Sequence, residues 1–90
     1  MKDYKAMYEE FKAKHPGALA MFRQYDWFTA NAWYIMVDED ADVASKELGI
    51  SVHPSFRMFH KQVEMSAKDL DIYLPKLVKN GHRIAILDYE

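Results

Sequence analysis

Apolar residues recur at Tyr4, Met7, Tyr8 and Phe11, with lysines and glutamates filling the gaps. That i, i+3, i+4, i+7 spacing predicts a first helix over residues 2–14 with one buried face. His15-Pro16-Gly17 stops it, because the residue before proline is pushed away from helical geometry. The period then changes. Residues 18–25 predict a strand with Leu19, Met21 and Arg23 on one face and Phe22 on the other. Residues 26–29 continue that strand or turn. Ala30-Asn31 reads as a glycine-free hairpin turn into the β-rich run of residues 33–37. Asp38 is a candidate N-cap, and Glu39, Asp40 and Asp42 place negative charge in the first turn of a helix reaching about Leu48. That helix should bury Ala41, Ala44 or Ser45, and Leu48, and close at Gly49. Residues 50–52 predict a short strand and residues 53–55 a turn. Residues 56–60 alternate with period two, and residues 63–65 suit a return strand.

The last third is the best-marked part. Ser66 is a good N-cap, and Leu70, Tyr73, Leu74, Leu77 and Val78 form one apolar helical stripe. Pro75 interrupts it, since proline inside a helix removes a hydrogen bond. Asn80-Gly81 supplies a left-handed stop. Residues 84–87 then form an apolar run, the signature of a strand covered on both faces. The predicted order is α-β-β-α-β-β-β-α-β, an α+β or α/β fold. No linker or repeat breaks it, so residues 1–90 are expected to form a single domain.

Composition narrows the function. Ninety residues suffice for one modest core. The chain has no cysteine, which excludes thiolate chemistry and disulfides. No apolar run approaches the ~20 residues needed to span a bilayer, and the charged N-terminus lacks a signal-peptide core. A cytoplasmic, soluble protein is therefore expected. Twelve basic and fourteen acidic side chains leave a formal charge of −2, so a strong non-specific grip on nucleic acid is not expected. Local patches are not excluded. The three glycines are scattered at 17, 49 and 81, with no phosphate-binding loop. The four histidines show no metal spacing. The acidic cluster at residues 38–42 reads as a solvated helix start. No catalytic constellation converges, so an enzyme is not expected, nor is a cofactor or metal.

One run invites a functional reading. Trp27, Phe28, Trp33 and Tyr34 lie on a strand or hairpin near Arg23, and aromatics so placed stack on bases or wedge into a base step. The same residues equally suit the core of a small domain, which composition alone favours.

Three blocks then carry a resemblance. The first runs from Tyr8 through His15-Pro16 to the strand ending in Phe22-Arg23. The second is residues 40–50, Asp-Ala-Asp-Val-Ala-Ser-Lys-Glu-Leu-Gly-Ile. The third is Leu70-Asp71-Ile72-Tyr73-Leu74-Pro75-Lys76-Leu77-Val78 with Gly81-His82-Arg83-Ile84-Ala85-Ile86. In order and spacing they resemble the N-terminal, mismatch-recognition domain of the MutS family of DNA mismatch repair proteins. The resemblance implies a small mixed sheet flanked by three helices and a DNA-binding module. In the family, an aromatic and a glutamate two residues later meet the mispaired base. Here Trp27 stands at the aromatic position and Thr29 at that of the glutamate, with several extra residues before the acidic helix. An alternative alignment places residues 33–35 there, also without a glutamate. The resemblance implies DNA contacts from Trp27, Thr29, Arg23, Trp33 and Tyr34, with mismatched or distorted DNA as partner. A protein-interaction module that kept the fold and lost mismatch recognition is the alternative. The family's clamp, lever and ATPase domains have no counterpart in these ninety residues, which suits either a short relative or a piece of a longer chain.

Overall fold

The computed structural model describes residues 3–55 and 58–89, without the Tyr89 side chain. Its elements are α1 (Tyr4–Lys14), β1 (Ala18–Asp26), β2 (Asn31–Val37), α2 (Asp38–Leu48), β3 (His53–Pro54), β4 (Lys61–Ser66), α3 (Ala67–Lys79) and β5 (Arg83–Tyr89). The strands form one mixed sheet in the order β3-β4-β2-β1-β5. β5 runs parallel to β1, and the other pairs are antiparallel. The α+β class and the three helices match expectation.

The sheet carries a separate core on each face. Leu19 and Met21 of β1, Met36 of β2, and Val63 and Met65 of β4 pack against Ala41 and Ala44 of α2 and Leu70 and Leu77 of α3. The alternate positions Ala20, Phe22 and Val37 turn to the other face, where Tyr4 and Tyr8 of α1 and the buried Phe59 cover them. Tyr8 meets Phe59 edge-to-face at 5.5 Å, and Tyr4 meets Phe22 likewise at 6.1 Å. The period-two alternation of β1 thus feeds both cores.

The helix ends follow the sequence signals. Ser66 Oγ accepts from the Asp69 N–H at 3.1 Å. Gly49 (φ 71°) and Gly81 (φ 90°) take the left-handed conformation beyond their helices, where a Cβ would be strained. Asp3 caps α1 by accepting from the Ala6 N–H at 3.0 Å.

Several expectations are corrected. Among the described residues five strands form, not the six expected. Residues 50–52 leave the sheet because the Ile50 carbonyl accepts the Ser45 hydroxyl at 2.6 Å and the Ile50 side chain packs onto the α2–α3 core. Residues 58–60 bend and form no strand; the first two residues of that expected strand lie outside the described residues. His53–Pro54, expected as a turn, is a short edge strand on β4, a position proline tolerates. The first hairpin turns at residues 27–30 rather than at Ala30-Asn31, with Asn31 already in β2. β5 lies at the sheet edge; Ile84 and Leu87 pack against the cores on opposite faces, but Ile86 of the expected doubly covered run is exposed. Val78 falls off the buried stripe of α3. Asp38 does not cap α2. It adopts φ 50°, and its carboxylate accepts from the backbone N–H groups of His60 and Lys61.

The acidic cluster is also not wholly solvated. Asp40 is only 2% exposed. Its carboxylate accepts from Lys12 Nζ at 2.8 Å and from the Ala20 N–H at 3.0 Å. Lys12 also donates to the Ala18 carbonyl at 2.6 Å. One ion pair therefore ties α1, the start of β1 and the start of α2 together. Burial, and then the Asp40 charge, push the nearby Tyr8 phenol well above its ordinary pKa, so it stays neutral. Among the described residues no helix is long and apolar enough to cross a membrane.

Candidate nucleic-acid interface

The β1–β2 hairpin projects its turn beyond the part of the sheet that the α1 core covers. Trp27 is 84% exposed at the tip, and Phe28 beside it is fully exposed. A small domain with two cores to fill leaves such side chains in water at a hydrophobic cost. The tip is braced. Asp26 Oδ1 accepts from the Phe28 N–H, and its Oδ2 accepts from the Thr29 hydroxyl, both at 2.9 Å. This Asx-type turn holds the chain through the left-handed Ala30 (φ 56°). The Tyr25 ring meets Trp27 edge-on at 4.7 Å and limits where the indole swings.

The Thr29 hydroxyl, and then the Phe28 amide, stabilise the Asp26 carboxylate, which lowers its pKa. A carboxyl whose folded pKa is depressed supports the fold above its unfolded value and loses that support as pH falls through the folded value. We expect the turn to loosen only below the ordinary aspartate value of about 3.9. NMR titration should give Asp26 a pKa beneath that value, and T29V should move it upward. An unchanged pKa in T29V would contradict the bracing.

Behind the tip lies a cleft of about 500 Å³. Its floor is the α1-side face of the sheet past the end of the α1 core. Gln24 stands opposite Trp33, Ile35 opposite Glu64, and Val37 opposite Gln62, so alternate residues of β1, β2 and β4 point the same way. Trp33 is partly exposed there. Gln62 is buried and donates through Nε2 to Glu64 Oε1 at 2.6 Å. Trp27, Phe28 and Asp26 close the tip end. Among the described residues none that lines it is Lys, Arg or His.

The residues expected to meet DNA therefore separate. Trp27 and Thr29 sit in the turn, and Trp33 sits in the cleft behind it. Arg23 and Tyr34 face each other across β1 and β2 on the opposite side of the sheet. Tyr34 packs against the α2–α3 core. Arg23 is exposed but donates from Nε at 3.0 Å and Nη2 at 2.5 Å to Asp88 of β5. That hydrogen-bonded carboxylate raises the Arg23 pKa further and offsets its charge. Phe28, already singled out with the other aromatics, joins the site, and so, unforeseen, do Gln62 and Glu64. The alternation of polar Gln62 and Glu64 with Val63 and Met65 was the legible signal for the last two. His53 pairs with Gln62 across β3 and β4. Among the described residues no group of three His, Asp or Glu side chains suits a metal ion.

Comparison with known proteins agrees with the blocks quoted above. The family description MutS domain I matches residues 3–90. A DNA mismatch repair protein MutS of Phocaeicola vulgatus is 45% identical over 82 residues, covering 88% of this chain and 9% of that protein. Its counterpart in Cytophaga hutchinsonii is 38% identical over 91 residues, covering 98% of this chain and 10% of that protein. That of Azorhizobium caulinodans is 35% identical over 86 residues, with 92% and 9% covered. The chain spans about a tenth of the length of these relatives. With a match along nearly its whole length, the chain belongs to the MutS domain I family.

Proposed function

We propose that this domain is a DNA-binding module whose β1–β2 tip contacts distorted or mismatched duplex, and that it is a binding module and not an enzyme. The observation that carries the reading is the pair of exposed aromatics, Trp27 and Phe28, on a braced turn at the end of a rigid hairpin. Flat apolar side chains at a projecting tip suit stacking on an unpaired base or wedging into a base step. A disrupted step presents an open π-face, which a matched step does not. Family membership and the mismatch repair names of the relatives support the same direction. Thr29 contributes by holding Asp26 and the turn rather than by probing a base.

The test is a titration of the protein with matched and mismatched duplexes at low salt, read by tryptophan fluorescence. Quenching that is stronger with the mismatched duplex, and that weakens as salt rises, is expected. No change with either duplex at low salt would overturn the reading. One observation favours the alternative of a protein-interaction module: among the described residues no cationic side chain lines the cleft behind the tip.

A further inference from the structure

We propose that the cleft behind the hairpin tip is a docking site for an arginine side chain carried by a protein partner. This goes beyond the DNA reading and does not rest on it. Among the described residues nine line the cleft, and the charged ones are Asp26 and Glu64. A phosphate entering it would meet two carboxylates and no compensating cation, so like-charge repulsion excludes a nucleic-acid backbone. A cation gains where a phosphate loses.

The lining also selects among cations. The cleft offers the Trp33 indole, and a guanidinium stacks on an indole face by cation–π and planar contact. Glu64 stands one strand away, its position set by the ladder to Ile35 and by the bond from buried Gln62. Gln62 occupies Oε1, and no described residue bonds Oε2. The second oxygen therefore accepts from the incoming side chain. Gln24 and Gln62 bring amide oxygens that accept further N–H groups. Arginine presents five donors in a rigid plane, and lysine presents three around a compact, strongly hydrated charge. The planar floor and spread acceptors thus fit arginine better. Asp26, kept ionised by Thr29 and Phe28, adds negative potential at the tip end without giving up its own bonds.

The probe is acetyl-Gly-Arg-Gly-amide, titrated into the intact protein and followed through the Trp33 indole N–H resonance. The same peptide with citrulline, lysine or glutamate replacing arginine serves as comparison. Citrulline keeps the plane and loses the charge. We expect a saturable shift with the arginine peptide, about tenfold tighter than with citrulline, the size of one charge-assisted hydrogen bond. Lysine should fall between them, and glutamate should give no shift. E64Q should bring arginine binding close to the citrulline level while leaving the spectrum elsewhere unchanged. Equal binding of arginine and citrulline peptides would overturn the proposal, as would the absence of a saturable shift. So would a mismatched duplex that displaces no tip resonance but moves those of Trp33 and Gln62, since a base would then occupy the cleft. The peptide arms contain no DNA, so their failure leaves the tip reading standing, and failure of the duplex titration leaves this one.

Discussion

Replacing Lys12 by methionine is expected to lower the unfolding free energy by about 3 kcal/mol, the largest stability loss for any single exchange of a charged residue here. The reason is what it leaves behind. Asp40 would remain a nearly inaccessible carboxylate with the Ala20 N–H and the neutral Tyr8 phenol as partners and no cation. Removing one member of a buried pair typically costs roughly 3–5 kcal/mol, because the remaining charge is stranded in a poorly polarisable interior. The ammonium end of Lys12 keeps some contact with water, with a side chain 20% accessible, which places the value at the lower end. Against a total of roughly 5–13 kcal/mol for ninety residues, the loss is large. It corresponds to a fall in Tm of roughly 12–24 °C. D40A should fall comparably, since it strands the Lys12 ammonium and the Ala20 amide together. Thermal melts followed by circular dichroism measure both. A drop of less than about 4 °C in K12M, under 1 kcal/mol, would show that the pair is not the clamp its geometry implies. The site depends on this clamp at a distance. It fixes α1 over the start of β1, and α1 covers the sheet only up to Phe22 and Ile35, which leaves the cleft open.

The second large effect is on binding. The double variant W27A/F28A should weaken affinity for a duplex carrying an unpaired base by at least about thirtyfold. Two stacking contacts at roughly 1–3 kcal/mol each give that figure as a lower bound. The fold should not notice. Both side chains stand in water, and neither contributes to either core. The Tm should stay within about 2 °C, under 0.5 kcal/mol. Fluorescence anisotropy with a labelled duplex reads the affinity, and the same protein sample gives the melt. A thirtyfold loss with a collapsed Tm would point to unfolding, whereas full affinity with an intact fold would move the interface away from the tip. R23A should change affinity little, because Asp88 already offsets the charge and the residue lies on the other face of the sheet.

What the sequence made legible follows from which signals are local. Helix ends were readable because Ser66, Gly49 and Gly81 act through their own backbone geometry within one turn. The β1 alternation was readable because Leu19, Met21 and Phe22 declare their faces by parity. The misreadings involve partners distant in the chain. Asp38, Asp40 and Asp42 look alike in sequence. One accepts from the loop before β4, one is buried by Lys12, and one pairs with Lys61 at 2.7 Å. Nothing local separates them. The apolar run in β5 suggested a strand covered on both faces, and only the structure shows that Ile86 stays exposed while Ile84 and Leu87 pack against the two cores. At the site, Trp27 was legible as an aromatic between two strands. Assigning Arg23 and Tyr34 to the same surface failed because sequence proximity in a hairpin does not decide which face a side chain takes. Parity does, and Arg23 shares it with the buried Met21. Glu64 was invisible as a site residue until the β2–β4 register set it opposite Ile35.

The central claim is that the hairpin tip is what touches DNA. The chain has two tryptophans, so W33F leaves Trp27 as the sole indole reporter. Titrating W33F with a duplex that carries one unpaired base, at low salt, measures contact at the tip directly. Strong, saturable quenching of Trp27 emission, much weaker with the fully matched duplex, is the predicted result. Binding detected by anisotropy with unchanged Trp27 emission would contradict it.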